Sequence, residues 1–421
     1  MKRQNLHFKS ETPNLILNKI SLTGAIFFAG IAGYSYFAFL PLFLNSKGFS
    51  AGEITFILTW MGVGMAIFSW FFGRLSDKTG YRKLFLIMGL FFQIIVFSLI
   101  NLNNHIIFHC ILNFFRGLIL GMRMPSSNAL FADIVEKSNE KKELDKISGK
   151  LEVSGIQLSL LSTTKSTGWA TGVLLSSLTI SLFGLDSLIF FLVFMTSISL
   201  LFAIPIKDVK NNNQKMTDKG IIEEVNIQKN VESENKNSKK RSKVKPLLFI
   251  SVFFRQFGLI AFLQILSLIL TNTGIPIGIA GIIIALNPIF QIVAMVAMGR
   301  LIDNPKITER IMMGFGFILS VLTLLCYAGG SLTGSIFIFI IGQICLGFSW
   351  GCIFTGGNKY IVNRAPMDRA FYTGIWITNL QVAKIISYQV FAFLWLIFSY
   401  TTVLPYAALI PLIGLILIFW L

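Results

Sequence analysis

Five basic side chains interrupt long apolar stretches of this 421-residue sequence: Arg116, Arg123, Lys165, Arg255 and Lys384. An ionised group among apolar neighbours is costly unless it meets a partner or a water-filled cavity. Carboxylates do not supply the partner. Asp133 closes one apolar stretch, Glu152 precedes another and Asp186 falls between two, so none lies deep within any of them. Cations left unpaired in this way recruit an anion. The spacing predicts capture of a carboxylate, phosphate or similar group by Arg116, Arg255 and Lys384, each about 10–13 residues into its stretch and so near mid-depth. A forked guanidinium suits such groups because it can donate two parallel hydrogen bonds. Arg116 and Arg123 are seven residues apart, which puts them on one helix face about 10 Å from each other. Gln381, Lys384 and Tyr388 share a face by their three- and four-residue spacing and form a polar stripe with an aromatic edge. Gln343, Trp350 and Asn287 complete the candidate ligands. Each has a plainer reading. Arg116 can bond backbone carbonyls, Arg123, Lys165 and Arg255 can reach toward headgroups, and buried Asn or Gln often joins helices to one another.

The elements that must position these groups are membrane helices. Of the residues, 54% are apolar and 13% charged, against about 25% charged in ordinary soluble domains; the mean hydropathy is +0.72. Apolar runs long enough to cross a bilayer fall at 20–44, 54–72, 84–100, 106–131, 158–182, 186–205, 246–271, 276–298, 311–329, 335–357, 371–397 and 403–421. The first run has no small-residue cleavage site after it and is expected to remain as the first helix. The four cysteines sit inside runs without metal-ligand spacing, and neither a disulfide, a metal nor a cofactor is expected. Thirty of the 36 Lys and Arg residues lie in alternate connecting segments, and the segments between them hold only Lys47. By the positive-inside rule both termini are cytoplasmic, in a multi-pass protein of the cell membrane. The net charge of +17 is then a topology signal and not a nucleic-acid footprint. Segment 206–245, rich in Lys, Asn, Glu and Ser, reads as a flexible cytoplasmic linker. The chain divides into a tail at 1–19, a six-helix bundle at 20–205, this linker, and a second six-helix bundle at 246–421.

After the second run of each bundle comes a related motif: GRLSDKTGYRK at 73–83 and GRLIDNPKITER at 299–310, offset by 226 residues. A half-length repeat of this kind marks two related bundles. The first copy resembles the signature loop of the major facilitator superfamily, G-x-L-[SA]-D-[RK]-x-G-[RK]-[RK], through Gly73, Leu75, Ser76, Asp77, Lys78, Gly80, Arg82 and Lys83, with Tyr81 as an inserted residue. Arg116 resembles the Arg of that family's fourth-helix motif. The resemblance implies an all-α membrane protein whose twelve transmembrane helices form two six-helix halves related by a pseudo-two-fold axis. It also implies alternating access, with helices one, four, seven and ten along the path. Gly73, Asp77, Arg82 and Lys83, and in the second copy Gly299 and Asp303, are then gating residues. Asp77 would face a helix N-terminus, while Arg82 and Lys83 would hold acidic partners across the half-to-half interface.

Polarity agrees with that arrangement. Runs three, nine and twelve carry no charge, and run six only Asp186 at its first position; all four suit outer support positions. Proton coupling usually needs a titrating carboxylate or His in the path, and the options are thin: His109 near the outer end of run four, Asp133 at its inner end, or Lys384 in their stead. The drug-antiporter pattern G-x-x-x-G-P-x-x-G-G falls on Gly168 and Gly172 but lacks its Pro and final Gly pair. With no nucleotide loop and no nucleophile–base constellation, enzyme chemistry is not expected. The expected function is secondary active transport of a small, anionic solute, with a proton or counter-anion as possible coupling ion, membrane lipids as surroundings and a monomer as the assembly. The alternatives are a drug or sugar efflux transporter of the same fold and a non-transporting receptor or sensor.

Overall fold

The computed structural model describes residues 12–144, 155–207, 244–302, 304, 306–364 and 369–421. Among them every regular element is a helix. The first half comprises α1 (Thr12–Ser46), α2 (Ala51–Thr79), α3 (Arg82–Leu99), α4 (Ile106–Leu144), α5 (Gly155–Phe183) and α6 (Ser187–Ala203). The second comprises α7 (Leu247–Gln264), α8 (Leu266–Asn272), α9 (Ile277–Leu301), α10 (Glu309–Thr333), α11 (Ile336–Arg364), α12 (Arg369–Ile397), α13 (Tyr400–Ala407) and α14 (Leu409–Phe419). Ten segments are long and apolar enough to cross a membrane, and the apolar, 17-residue α6 is a shorter eleventh. With α5, 29 residues long, they make the two six-helix halves.

Two predicted single spans are each broken. The seventh bends at Ile265, which leaves helical geometry (φ −99°, ψ 15°), and the twelfth changes element at Ala408. The charged stretch after the second span is mostly helix. Its Gly73–Thr79 portion continues α2, and only Gly80, in the left-handed region at φ 68°, and Tyr81 turn the chain before α3. Ser, Asp, Lys and Thr are tolerated on a helix; Gly is needed where the chain reverses. Predicted segment 206–245 lies, apart from its ends, outside the described residues, as do Glu152, Asp303 and the side chain of Asp77.

Small residues set the helix spacing. Gly117 and Gly121 on α4 lie directly on α2, where a Cβ at Gly117 would overlap the carbonyl oxygen of Met61 and one at Gly121 would sit 2.8 Å from the backbone nitrogen of Ser69. Gly347 and Gly351 make the equivalent seam of α11 on α9. Gly347 follows Gly121 by the same 226 residues that separate the two motifs. Gly168 and Gly172 seat α5 on α1, with Cβ positions 2.8 Å from the carbonyl oxygen of Phe27 and 2.6 Å from that of Ile31. A branched side chain in such a seam overpacks it, typically at about 1–3 kcal/mol. Gly117→Val is therefore expected to lower the Tm of the detergent-purified protein and its yield as a single chromatographic species. An unchanged Tm would show that the seam is loose.

The apolar core is divided unequally between the two ends of the bundle. On the face opposite the one where α1 begins, a single buried cluster runs through both halves, from Tyr36, Phe39 and Phe97 to Phe262, Ile283 and Phe391. Toward the face where α1 begins, the terminal face, the cores separate. Leu22, Leu86 and Leu130 belong to the first half, and Leu248, Phe317 and Ile353 to the second. The halves meet through α5 with α9, α2 with α12, and α1 with α8. Gly281 lies against Ser177, a Cβ at Gly52 would be 2.8 Å from the carbonyl oxygen of Ala392, and the Gln264 side-chain amide donates to the Phe37 carbonyl at 2.9 Å. These contacts lie at mid-depth or toward the opposite face, where the molecule is sealed. As the charge-free spans predict, α3, α6, α10 and α14 present apolar outer surfaces, including Phe91, Phe194, Phe315 and Ile416.

Candidate functional site

Between the halves is a cavity of about 270 Å³. Its wall runs from Phe37, Met61 and Arg116 at mid-depth to Ala25, Leu86 and Ser127 nearer the terminal face. Four cations line it: Arg116 and Arg123 from α4, Lys165 from α5 and Lys384 from α12. No Asp or Glu does.

Arg116 is 2% exposed. Its Nη2 donates to the Gly33 carbonyl at 3.3 Å and its Nη1 to the Met61 sulfur at 2.7 Å. The guanidinium lies 3.6 Å from the centre of the Tyr36 ring and 5.4 Å from that of Phe97, a cation–π arrangement that replaces part of the lost hydration. Tyr36 is held in place because its hydroxyl donates to Asn113 Oδ1 at 2.8 Å. Even so, Arg116 Nε has no hydrogen-bond partner among the described residues. Arg123 is 8% exposed and its Nη1 is also unpartnered. Gly89 on α3 makes room for its stem, since a Cβ there would stand 3.0 Å from that of Arg123. Lys165 Nζ donates to Asn128 Oδ1 at 2.9 Å.

Lys384 comes from the other half, and Gln381 lines the wall one turn away. Its Nζ lies 5.6 Å from the Phe37 ring centre and 5.4 Å from that of Tyr388, with no hydrogen bond or carboxylate among the described residues. Tyr34, also in the wall, stacks on Trp169 with centroids 4.7 Å apart. Buried donors with nothing to bind cost more than they contribute.

The other predicted ligands lie outside the wall. Arg255 is buried within the second half, where Nε donates to Ser320 Oγ at 2.8 Å, Nη2 donates to Ser349 Oγ at 3.0 Å, and the group lies 5.4 Å from the Trp350 ring. Gln343 donates to Tyr327, and Tyr388 to Gln264 Oε1. Trp350 stacks on Phe354, and Asn287 is buried beneath α11, its carbonyl 2.8 Å from the Cβ position of Gly347. Sequence reasoning left Arg123 and Lys165 out of the binding set, with headgroup contact as their plainer reading, yet both line the cavity. The heptad spacing from Arg116 carried that signal for Arg123, whereas nothing in the sequence marked Tyr34 or Phe37.

In the signature stretch, Arg82 pairs with Asp133 and donates to the Ala129 carbonyl at 3.0 Å. Both partners are on α4, so this contact ties α3 to α4 inside one half and does not cross the interface. Gly73 has Pro125 as its nearest approach, and no atom of the described residues lies within 4 Å of the Cβ position of Gly299. Lys83 also has a partner.

Two six-helix halves around a central, one-sided cavity define a solute transporter, not an enzyme. The sequence model of the Major Facilitator Superfamily matches residues 22–247 and again 248–421; the chain belongs to that family. No curated protein matches it. Its fold is similar to the crystal structure of the nucleoside transporter NupG, at TM-score 0.71 and 13% identity over 96% of this chain and 98% of that one. It is also similar to a D-xylose-proton symporter, at TM-score 0.69 and 13% identity over 96% of each, and to an auto-inhibited POT family peptide transporter, at TM-score 0.72 and 11% identity over 95% of this chain and 96% of that one. At such identities the likeness is one of fold.

Proposed function

We propose that this transporter carries a small organic anion, and that the four-cation, carboxylate-free cavity is its binding site. The observation that supports this reading is the convergence of Arg116, Arg123, Lys165 and Lys384 on one wall without an acidic residue among the described ones. A cavity of about 270 Å³ falls just below the roughly 300–1,000 Å³ usual for ligand sites, which favours a compact solute. Gln381 would orient the guest beside Lys384. Taking the terminal face as cytoplasmic, as the basic segments indicate, the cavity is loaded or emptied from the cytoplasm in this conformation. Gly73, Asp77, Arg82 and Lys83, with Gly299 and Asp303, would brace that side when it closes, and the protein would work as a monomer among membrane lipids.

Counterflow in proteoliposomes with a panel of carboxylates, phosphate esters, neutral sugars and nucleosides tests the reading. Anions are expected to exchange and neutral solutes to be ignored; selective flux of neutral solutes would overturn it. Arg255 we assign to packing in this conformation. Losing its two hydrogen bonds from a charged donor costs about 1.5–3 kcal/mol each at most. Arg255→Gln is thus expected to lower Tm by several degrees while the half-saturating anion concentration stays within about twofold of wild type. A large rise in that concentration at unchanged Tm would return Arg255 to the binding site.

A further inference from the structure

The four cations are arranged in two pairs separated by an apolar belt. Arg116 and Lys384 both sit against the same turn of α1, Arg116 on the Gly33 carbonyl and Tyr36 ring, Lys384 over Phe37. Lys165 belongs one level nearer the terminal face, since its carbonyl is 3.8 Å from the Cβ position of Gly30. Arg123 is seven residues along α4 from Arg116, about 10 Å by helical rise. Leu120, between the two arginines on that face, joins Met61, Met65 and Tyr34 in the wall. Each level also keeps one donor without a partner among the described residues, on a side chain more than nine-tenths buried: Arg116 Nε above and Arg123 Nη1 below. One compact anion can complete one level only.

Building on the anionic reading, we infer that the substrate is an elongated dianion with an apolar middle. One charged end lies between Arg116 and Lys384 and the other between Arg123 and Lys165. Two-point attachment gains affinity without a larger ordering cost, because the second group binds at the effective concentration set by the first. It also makes length a selection criterion, since a spacer that is too short leaves one cation pair empty.

The test uses the purified full-length protein, by thermal shift and by proteoliposome counterflow. The probes are straight-chain dicarboxylates and ω-phosphonocarboxylates of four to ten carbons, monocarboxylates of matched length, and inorganic phosphate. Dianions are expected to bind at least tenfold more tightly than matched monoanions, with an optimum at an intermediate length. Arg123→Gln is expected to erase that advantage, so that dianions and length-matched monoanions bind the variant about equally whatever its absolute affinity; Lys165→Gln serves if the first variant does not fold. Equal binding of mono- and dianions, a flat length series, or phosphate matching the best dianion would overturn the two-ended substrate and leave the anionic reading standing. Preference for neutral solutes over every anion would overturn both.

Discussion

Replacing Lys384 by Gln is expected to lower anion counterflow at subsaturating substrate by about tenfold to a hundredfold, without loss of heat stability. The two halves of this prediction have one cause. Among the described residues the ammonium group has no hydrogen bond and no carboxylate, only the ring faces of Phe37 and Tyr388. Its charge therefore contributes little to the folded protein, and removing a desolvated, uncompensated charge is neutral or favourable. A bound carboxylate or phosphate changes that balance, because a hydrogen bond to a charged partner contributes about 1.5–3 kcal/mol, and every 1.4 kcal/mol is about tenfold in affinity. The measurement pairs initial counterflow rates with Tm in detergent. Lys384→Arg is expected to retain a substantial part of the flux. A silent Lys384→Gln, or one that loses flux only in proportion to lost folded protein, would remove Lys384 from the site.

The second large effect concerns the seal between the halves. Gly281 on α9 lies against Ser177 on α5, so any side chain there meets the other half. Gly281→Leu is expected to leave each half folded but to raise the energy of the conformation described here. Overpacking of about 1–3 kcal/mol corresponds to roughly a five- to 150-fold shift toward the state open on the opposite face. Spin labels at Ser46 and Asn272, exposed ends of α1 and α8 on that face, would report it as a longer distance, with transport slowed because one leg of the cycle is disfavoured. A wild-type distance distribution would show that the seam yields locally. The contrast with Gly117→Val is informative, since that glycine joins α4 to α2 within one half and its loss should cost stability without opening the seal.

These positions show where sequence reasoning reached and where it stopped. Helix number, the half-length repeat and the outer position of the charge-free helices were legible, because a bilayer demands long apolar runs and penalises misplaced charge. Arg116 and Lys384 could be named as cavity groups for the same reason. Arg255 shows the limit. It is as deep and as devoid of nearby carboxylates in the sequence as Arg116, yet it is turned into the second half onto Ser320 and Ser349. A helix displays residues all round its axis, and which side faces the cavity depends on neighbours from other helices. The pairing of Arg82 with Asp133 was hidden likewise, its partners being 51 residues apart in separate helices.

The amino-acid sequence by itself therefore determined the class of machine: membrane helices in two repeated bundles, a signature stretch after each second helix, and cations without internal carboxylates. Those are properties of composition and spacing, enforced locally by the bilayer. Only the tertiary structure decided which cations share a cavity, that Arg123 and Lys165 join Arg116 and Lys384 there, and which face of the molecule is sealed. Such facts depend on helix rotation and on close backbone approaches at glycines such as Gly117 and Gly281. They are settled by contacts between residues far apart in the chain.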